Sequence, residues 1–141
     1  MSILKTTITE EITIRGVQRV VTNEMTIENV DEIDYRTIKI PTSEIEVINF
    51  DADNGAGQFG GAVRYIRISH TGNTVGIVTL RVFGDNQEYF VRLDQNESFL
   101  LGNESMDAND SGNDSPSFDS IKSIKAKSTV GDTVLEYFVI V

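Results

Sequence analysis

The sequence contains no cysteine and only one histidine, His70. Without cysteine there can be no disulfide bond, thiol catalysis or cysteine-ligated metal centre. A lone histidine in a serine-type catalytic site needs a nearby nucleophile and an orienting acid, and no Gly-x-Ser-x-Gly motif supplies the nucleophile. Two of the 22 carboxylates could lie close enough in the fold to form a glycosidase-like pair, so the sequence does not exclude that kind of site. We expect a non-enzymatic protein without a cofactor, in which His70 is solvated or caps a backbone group.

Positive charge is also scarce, since 12 lysines and arginines stand against 22 acidic residues and the net charge is -10. Binding to nucleic acid requires a basic surface, so nucleic acid is not an expected partner. The sequence has no apolar run near the ~20 residues of a membrane helix. The N-terminus lacks the apolar core and cleavage site of a signal peptide. We therefore expect no membrane partner and synthesis in the cytosol.

Stretches with a helical period of 3.6 residues are missing as well. Apolar and polar residues instead alternate in short runs rich in Ile, Val, Thr, Tyr and Phe, separated by Gly, Asn and Asp. A chain of 141 residues has the size of one domain. The sequence predicts an all-β fold, with a single antiparallel β-sandwich or jelly-roll-like domain of roughly eight to eleven strands over residues 1–141.

The patterns of apolar residues at the two ends of the chain each predict a specific feature of the fold. Near the N-terminus, Ile8, Ile12 and Ile14 share one parity and Gly16 permits a turn into a second run. This N-terminal run is a candidate for extension onto a neighbouring molecule. The C-terminal run 133–141 is apolar on both parities, which indicates a strand that is either central in a sandwich or covered by another subunit.

The middle of the chain predicts four consecutive strands within residues 62–102, joined by short turns as an antiparallel meander. Long loops are predicted near 51–61 and 102–117, where Gly, Asn, Asp and Ser dominate. Within the second loop, residues 107–112 imitate the start of a calcium-binding loop. The twelfth position is Phe118 instead of a bidentate glutamate, so no metal site is predicted there.

Arginines lie among the apolar residues of two predicted strands, at Arg64, Arg67 and Arg81. One interpretation is structural, with the aliphatic stems covering apolar surface and the guanidinium groups pairing with carboxylates such as Asp85 and Glu88. A second is a contact between subunits, where arginine and tyrosine are enriched, and a third, less favoured, is a site for an anionic ligand. Because Tyr65 and Arg67 share one face of a predicted strand, they are the candidate interface residues.

Three stretches carry a resemblance to a known class of proteins. They are "EEITIRGVQRVVTNEMTIENVDEIDYRTIKIP" (10–41), "VRYIRISHTGNTVGIVTLRV" (63–82) and "VRLDQNESFLLG" (91–102). Together they resemble small β-sandwich virion proteins of tailed bacteriophages, particularly those that infect marine bacteria. The resemblance implies a structural role, either decorating or cementing the capsid or forming part of the tail. It supplies no catalytic residues and does not separate head from tail.

The expected function is therefore that of a capsid decoration or cement protein, located in the virion and assembled in the host cytoplasm. Its expected partners are the major capsid protein or other virion proteins. It is also expected to form a homo-oligomer, for which a closed trimer suits the local threefold axes of a shell. A tail or connector component and a carbohydrate-binding β-sandwich module are the alternatives. Carbohydrate-binding modules usually expose aromatic platforms, and this chain has no Trp and four Tyr.

Overall fold

The computed structural model describes residues 2–50, 63–72, 75–84, 88–102 and 121–141. Within these ranges the chain forms ten β-strands and no helix. The strands are β1 (Ile3–Ile14), β2 (Val17–Glu28), β3 (Ile33–Ile40), β4 (Ile45–Asn49), β5 (Tyr65–His70), β6 (Val78–Phe83), β7 (Glu88–Leu93), β8 (Ser98–Leu101), β9 (Ser123–Ser128) and β10 (Thr133–Ile140). The chain divides into two compact units, Met1–Asp31 and Glu32–Val141.

The first unit is a long antiparallel ribbon made of β1 and β2. The strands pair over their full length, from Ile3 opposite Glu28 to Ile14 opposite Val17. The two turn residues, Arg15 and Gly16, have φ values of 51° and 79°. Positive φ at both central residues is typical of a type I′ turn, whose twist matches that of the flanking strands. The turn predicted at Gly16 is confirmed.

The second unit contains two four-stranded sheets, in which every pairing is antiparallel. Sheet I has the order β3-β10-β5-β8 and sheet II has the order β4-β9-β6-β7. Inward side chains of both sheets belong to one hydrophobic core, including Ile40, Ile68, Leu135 and Tyr137 from sheet I and Ile48, Leu80, Val82 and Ile124 from sheet II. Each fully buried aliphatic side chain stabilises the fold by about 1.5–3 kcal/mol. The predicted all-β antiparallel fold is confirmed.

Strand β10, which is apolar on both faces, is an inner strand of its sheet. It lies between β3 and β5, and Leu135, Tyr137 and Val139 point into the core. On the opposite face, the ring of Phe138 packs edge-on against Tyr65, with 6.1 Å between ring centroids. The inner position of β10 agrees with the prediction of a central strand, and cover of its other face by another subunit stays a prediction.

The four strands predicted within residues 62–102 are present and β6 pairs with β7, but the predicted meander is wrong for the other two connections. Strand β5 pairs with β8 and β10, whereas β6 pairs with β7 and β9 in the other sheet. After β5, the amide of Thr71 donates to the carbonyl of Val134, and the amide of Ile77 then donates to the hydroxyl of Thr129. The chain thus leaves sheet I and enters sheet II. Alternation specifies which side chains are buried, but it does not specify the neighbouring strand.

Several predictions fall outside the described residues. These are the loop near 51–61, the calcium-like motif at 107–112 and most of the loop at 102–117. Within the part of the chain that is described, no helix is long and apolar enough to cross a membrane.

Candidate functional site

The register of the β1–β2 ribbon separates its residues into two faces. Directly opposite residues point to the same side of a ribbon, and successive residues of a strand alternate. One side, called here the apolar face, carries eight large apolar side chains: Leu4, Ile8, Ile12, Ile14, Val17, Val21, Met25 and Ile27. Thr6, Glu10, Arg19 and Asn23 complete it. The shared parity of the three isoleucines was predicted and is confirmed.

The part of the apolar face nearest the turn between β1 and β2 is exposed. Five of its side chains have between 46% and 60% of their surface accessible: Ile8, Ile12, Ile14, Val17 and Val21. An isolated two-stranded ribbon is at best marginally stable in water. Contiguous exposed apolar side chains rimmed by polar residues mark interaction surfaces. The apolar face is therefore the main candidate functional site.

The opposite side of the ribbon, called here the polar face, is different. Its cross-strand polar contacts are an ion pair from Lys5 Nζ to Glu24 Oε2 at 2.9 Å, a hydrogen bond from Gln18 to Glu11, and a hydroxyl contact between Thr9 and Thr22 at 3.4 Å. These contacts satisfy polar groups of this face within the ribbon itself. Lys5 is its only base, and Glu28 joins Glu11 and Glu24 as a third acid, so the face is negatively charged.

Two opposite charges lie on the apolar face. Glu10 is opposite Val21 and Arg19 is opposite Ile12, so the two charged residues are diagonal neighbours. Both are exposed. Within the described ranges neither one forms an ion pair. The apolar face thus carries one cation and one anion without an ionic partner.

The predicted interface residues Tyr65 and Arg67 lie on β5, on the face of sheet I that points away from the core. Tyr65 is only 4% exposed, and its ring contacts Phe138. Arg67 is partly exposed, and its Nη2 donates to Oε1 of Glu136 at 3.0 Å. Their shared strand face agrees with the sequence pattern. Their role in a subunit interface stays a prediction.

A carboxylate on β10 also organises this face. The hydroxyl of Tyr35 donates to Oε2 of Glu136 at 2.6 Å, and this hydrogen bond raises the pKa of Tyr35 above its ordinary value. Glu136 therefore receives Arg67 on one oxygen and Tyr35 on the other. Sequence reasoning missed this cluster, because no local signal links Tyr35 to a residue on the last strand.

The contacts of Arg81 agree with the structural interpretation, in which the guanidinium group pairs with carboxylates. Its Nε donates to Oε2 of Glu88 at 2.7 Å, and its Nη1 donates to Oε1 of Glu44 at 3.2 Å. The guanidinium also lies 4.3 Å from the centroid of the Phe83 ring. The hydrogen bond to Glu88 raises the pKa of Arg81. The predicted pairing with Glu88 is confirmed, while Asp85 lies outside the described residues.

His70 is the last residue of β5 and is fully buried. Its Nε2 lies 2.9 Å from the carbonyl oxygen of Gly76, which identifies it as a cap of a backbone group. Of the two predicted environments, capping is confirmed and solvation is wrong. In the described portion of the chain, no three His, Asp or Glu side chains are grouped so that they could hold a metal ion.

In comparisons with known proteins, no protein-family model, no curated protein and no solved structure matches this chain.

Proposed function

We propose that this chain is a non-enzymatic structural protein of a bacteriophage virion, which associates with copies of itself and docks on a larger shell. The observation that carries the proposal is the exposed apolar face of the β1–β2 ribbon. A long ribbon with five accessible aliphatic side chains suits an assembly that covers it. The two sheets of the second unit suit a β-sandwich or jelly-roll-like domain, because they share one core.

The energetic gain from covering the apolar face is substantial. Full burial of an aliphatic side chain is worth about 1.5–3 kcal/mol, so covering the remaining half contributes about 1 kcal/mol each. Five such side chains contribute on the order of 5 kcal/mol before the entropic cost of association. Repetition over a closed shell multiplies such a modest contact into a large stabilisation of the particle.

Within the virion, we place the protein on the head as a decoration or cement protein bound to the major capsid protein. A tail or connector component is the second candidate of the same class, bound to other virion proteins. Both locations belong to a particle assembled in the host cytoplasm. Both use the ribbon in the same way, as an arm whose apolar face is covered after assembly.

A carbohydrate-binding β-sandwich module is the competing function. The exposed rings of Tyr35 and Phe90 are the observation that favours it, because sugar rings stack on accessible aromatic side chains. Tyr35 belongs to β3 in sheet I and Phe90 to β7 in sheet II. These two rings therefore belong to different sheets and do not form one aromatic platform, which disfavours this function.

The proposal is tested by mixing the purified chain with phage heads that lack it. We expect the chain to co-sediment with heads and the decorated heads to resist heating better than bare heads. A glycan array and a panel of ester and glycoside substrates serve as the counter-test. A chain that ignores heads and binds or hydrolyses a glycan or ester contradicts the proposal.

A further inference from the structure

We propose that the apolar face of the ribbon is covered by the same face of a second copy of this chain. In this two-fold arrangement, Glu10 of each copy pairs with Arg19 of the other. The inference rests on the proposed self-association and names its contact surface. This contact by itself joins two copies, and the closed trimer stays a separate prediction.

The register of the ribbon places the two charges where a two-fold axis exchanges them. Glu10 lies level with Val21, and Arg19 lies level with Ile12, two residues further along the ribbon. This step is about 7 Å. The two-fold axis lies between the two facing ribbons, perpendicular to their strands and midway between these two levels. It places Glu10 of one copy at the same level as Arg19 of the other. The same ion pair then forms twice, as an isologous interface requires.

Charge also explains why a copy of the same chain fits this surface. A charged side chain that loses water without an ionic partner is strongly unfavourable. A molecule that supplies an anion for Arg19 and a cation for Glu10 is therefore favoured to cover the apolar face. A second apolar face supplies both, at matching positions, together with the apolar side chains that surround them.

The polar face does not offer an equivalent contact. It carries Glu11, Glu24 and Glu28 against a single base, Lys5, so two polar faces would bring an excess of negative charge together. Its cross-strand polar groups already have partners within the ribbon. Self-association is therefore expected on the apolar face alone.

Adjacent valines provide a matched pair of variants for the test. Val21 is on the apolar face and Val20 is on the polar face, with 53% and 55% of their surfaces exposed. Each is also directly opposite a glutamate, Glu10 for Val21 and Glu11 for Val20. Substitution by lysine therefore makes the same chemical change in the same strand, opposite the same kind of residue.

The mass of the full chain is measured by sedimentation velocity over a wide range of protein concentrations. We expect the unmodified chain and Val20→Lys to shift together from one copy to two as concentration rises. For Val21→Lys we expect association at least tenfold weaker, with an unchanged far-ultraviolet circular dichroism spectrum. An unmodified chain that stays monomeric overturns the inference. Equal weakening by both lysines also overturns it.

Charge reversal tests the cross-copy ion pair. Glu10→Arg and Arg19→Glu each place like charges together in a pair of identical copies, so each variant alone is expected to be monomeric. Mixing the two variants restores opposite charges at both positions, and we expect a mixed pair to form. An ion pair within one ribbon cannot be restored by mixing. Failure of the mixture to associate therefore contradicts the two-fold arrangement.

These measurements use no phage heads, which separates the inference from the proposed function. Copies that pair through Val21 but ignore heads support the ribbon contact and contradict the docking role. Copies that bind heads as single chains, with no effect of Val21→Lys on their mass in solution, support the docking role and overturn the ribbon contact.

Discussion

Tyr35 and Glu136, which are 101 residues apart in sequence, are joined by a hydrogen bond of 2.6 Å from the phenol to the carboxylate. The other oxygen of Glu136 accepts a hydrogen bond from Arg67 at 3.0 Å. The three side chains come from β3, β10 and β5, which are adjacent strands of sheet I. One carboxylate therefore connects three strands on the face that points away from the core.

Glu136→Gln is expected to lower the pKa of Tyr35 towards its ordinary value of 10.0. The amide can still accept a hydrogen bond, but it lacks the negative charge that opposes ionisation of the phenol. Tyrosine ionisation is followed by ultraviolet absorbance at alkaline pH. Tyr35→Phe identifies which part of the titration belongs to Tyr35. An unchanged titration in Glu136→Gln contradicts the assigned hydrogen bond.

The raised pKa of Tyr35 also predicts a pH dependence of stability. The folded protein holds the phenol proton more tightly than the unfolded chain, so this stabilisation is fully present below pH 10.0. It is lost as pH rises through the raised value. The unmodified chain should therefore lose more unfolding free energy between pH 9 and pH 11 than Tyr35→Phe does, as measured by urea denaturation. Parallel pH profiles for the two proteins would refute this.

The ion pair between Arg67 and Glu136 is expected to make a small net contribution to stability. Both side chains are partly exposed, and such pairs usually couple by about 0.2–1 kcal/mol. A double-mutant cycle with Arg67→Met and Glu136→Gln measures this coupling from the free energies of unfolding. Methionine keeps part of the apolar stem next to Phe138, so the cycle reports mainly on the charge. A coupling above about 3 kcal/mol would indicate a fully desolvated pair and contradict the observed exposure.

Gly76→Ala is expected to destabilise the second unit by about 1–3 kcal/mol or more. A Cβ atom at this position would lie 2.5 Å from Val130 Cγ2 and 2.7 Å from Thr133 Oγ1, well inside van der Waals contact. Gly131→Ala is the control, because its Cβ would meet nothing within 4 Å. Thermal unfolding compares the two variants. Equal melting temperatures would show that the turn around Val130 rearranges to accept the Cβ atom without a loss of stability.

Local alternation predicted much of the fold. It identified the parity of Ile8, Ile12 and Ile14, and it indicated that the C-terminal strand could be central. Both results depend on which side chains face an apolar environment, and the alternation of neighbouring residues along the strand determines this. The exposure of the isoleucines, however, depends on what lies next to the ribbon, and the alternation carries no information about that.

Strand partners and polar clusters could not be predicted in the same way. The sequence between β5 and β6 is compatible with a hairpin or a crossing between sheets, and packing over the whole unit decides between them. The sequence left His70 either solvated or capping a backbone group, and the fold buries it at the end of a strand, next to Gly76. The role of Glu136 as a shared hydrogen-bond acceptor is visible only in the folded chain, where Tyr35 and Arg67 both contact it.

The most direct measurement of the central proposal is an electron-microscopy map of the virions proposed to contain this chain, with the chain fitted into its density. We predict copies on the head surface, with the apolar faces of two ribbons in contact and Glu10 of each copy next to Arg19 of the other. A map in which the chain is absent from the particle contradicts the structural role. A map in which each apolar face meets only solvent contradicts the pairing of the ribbons.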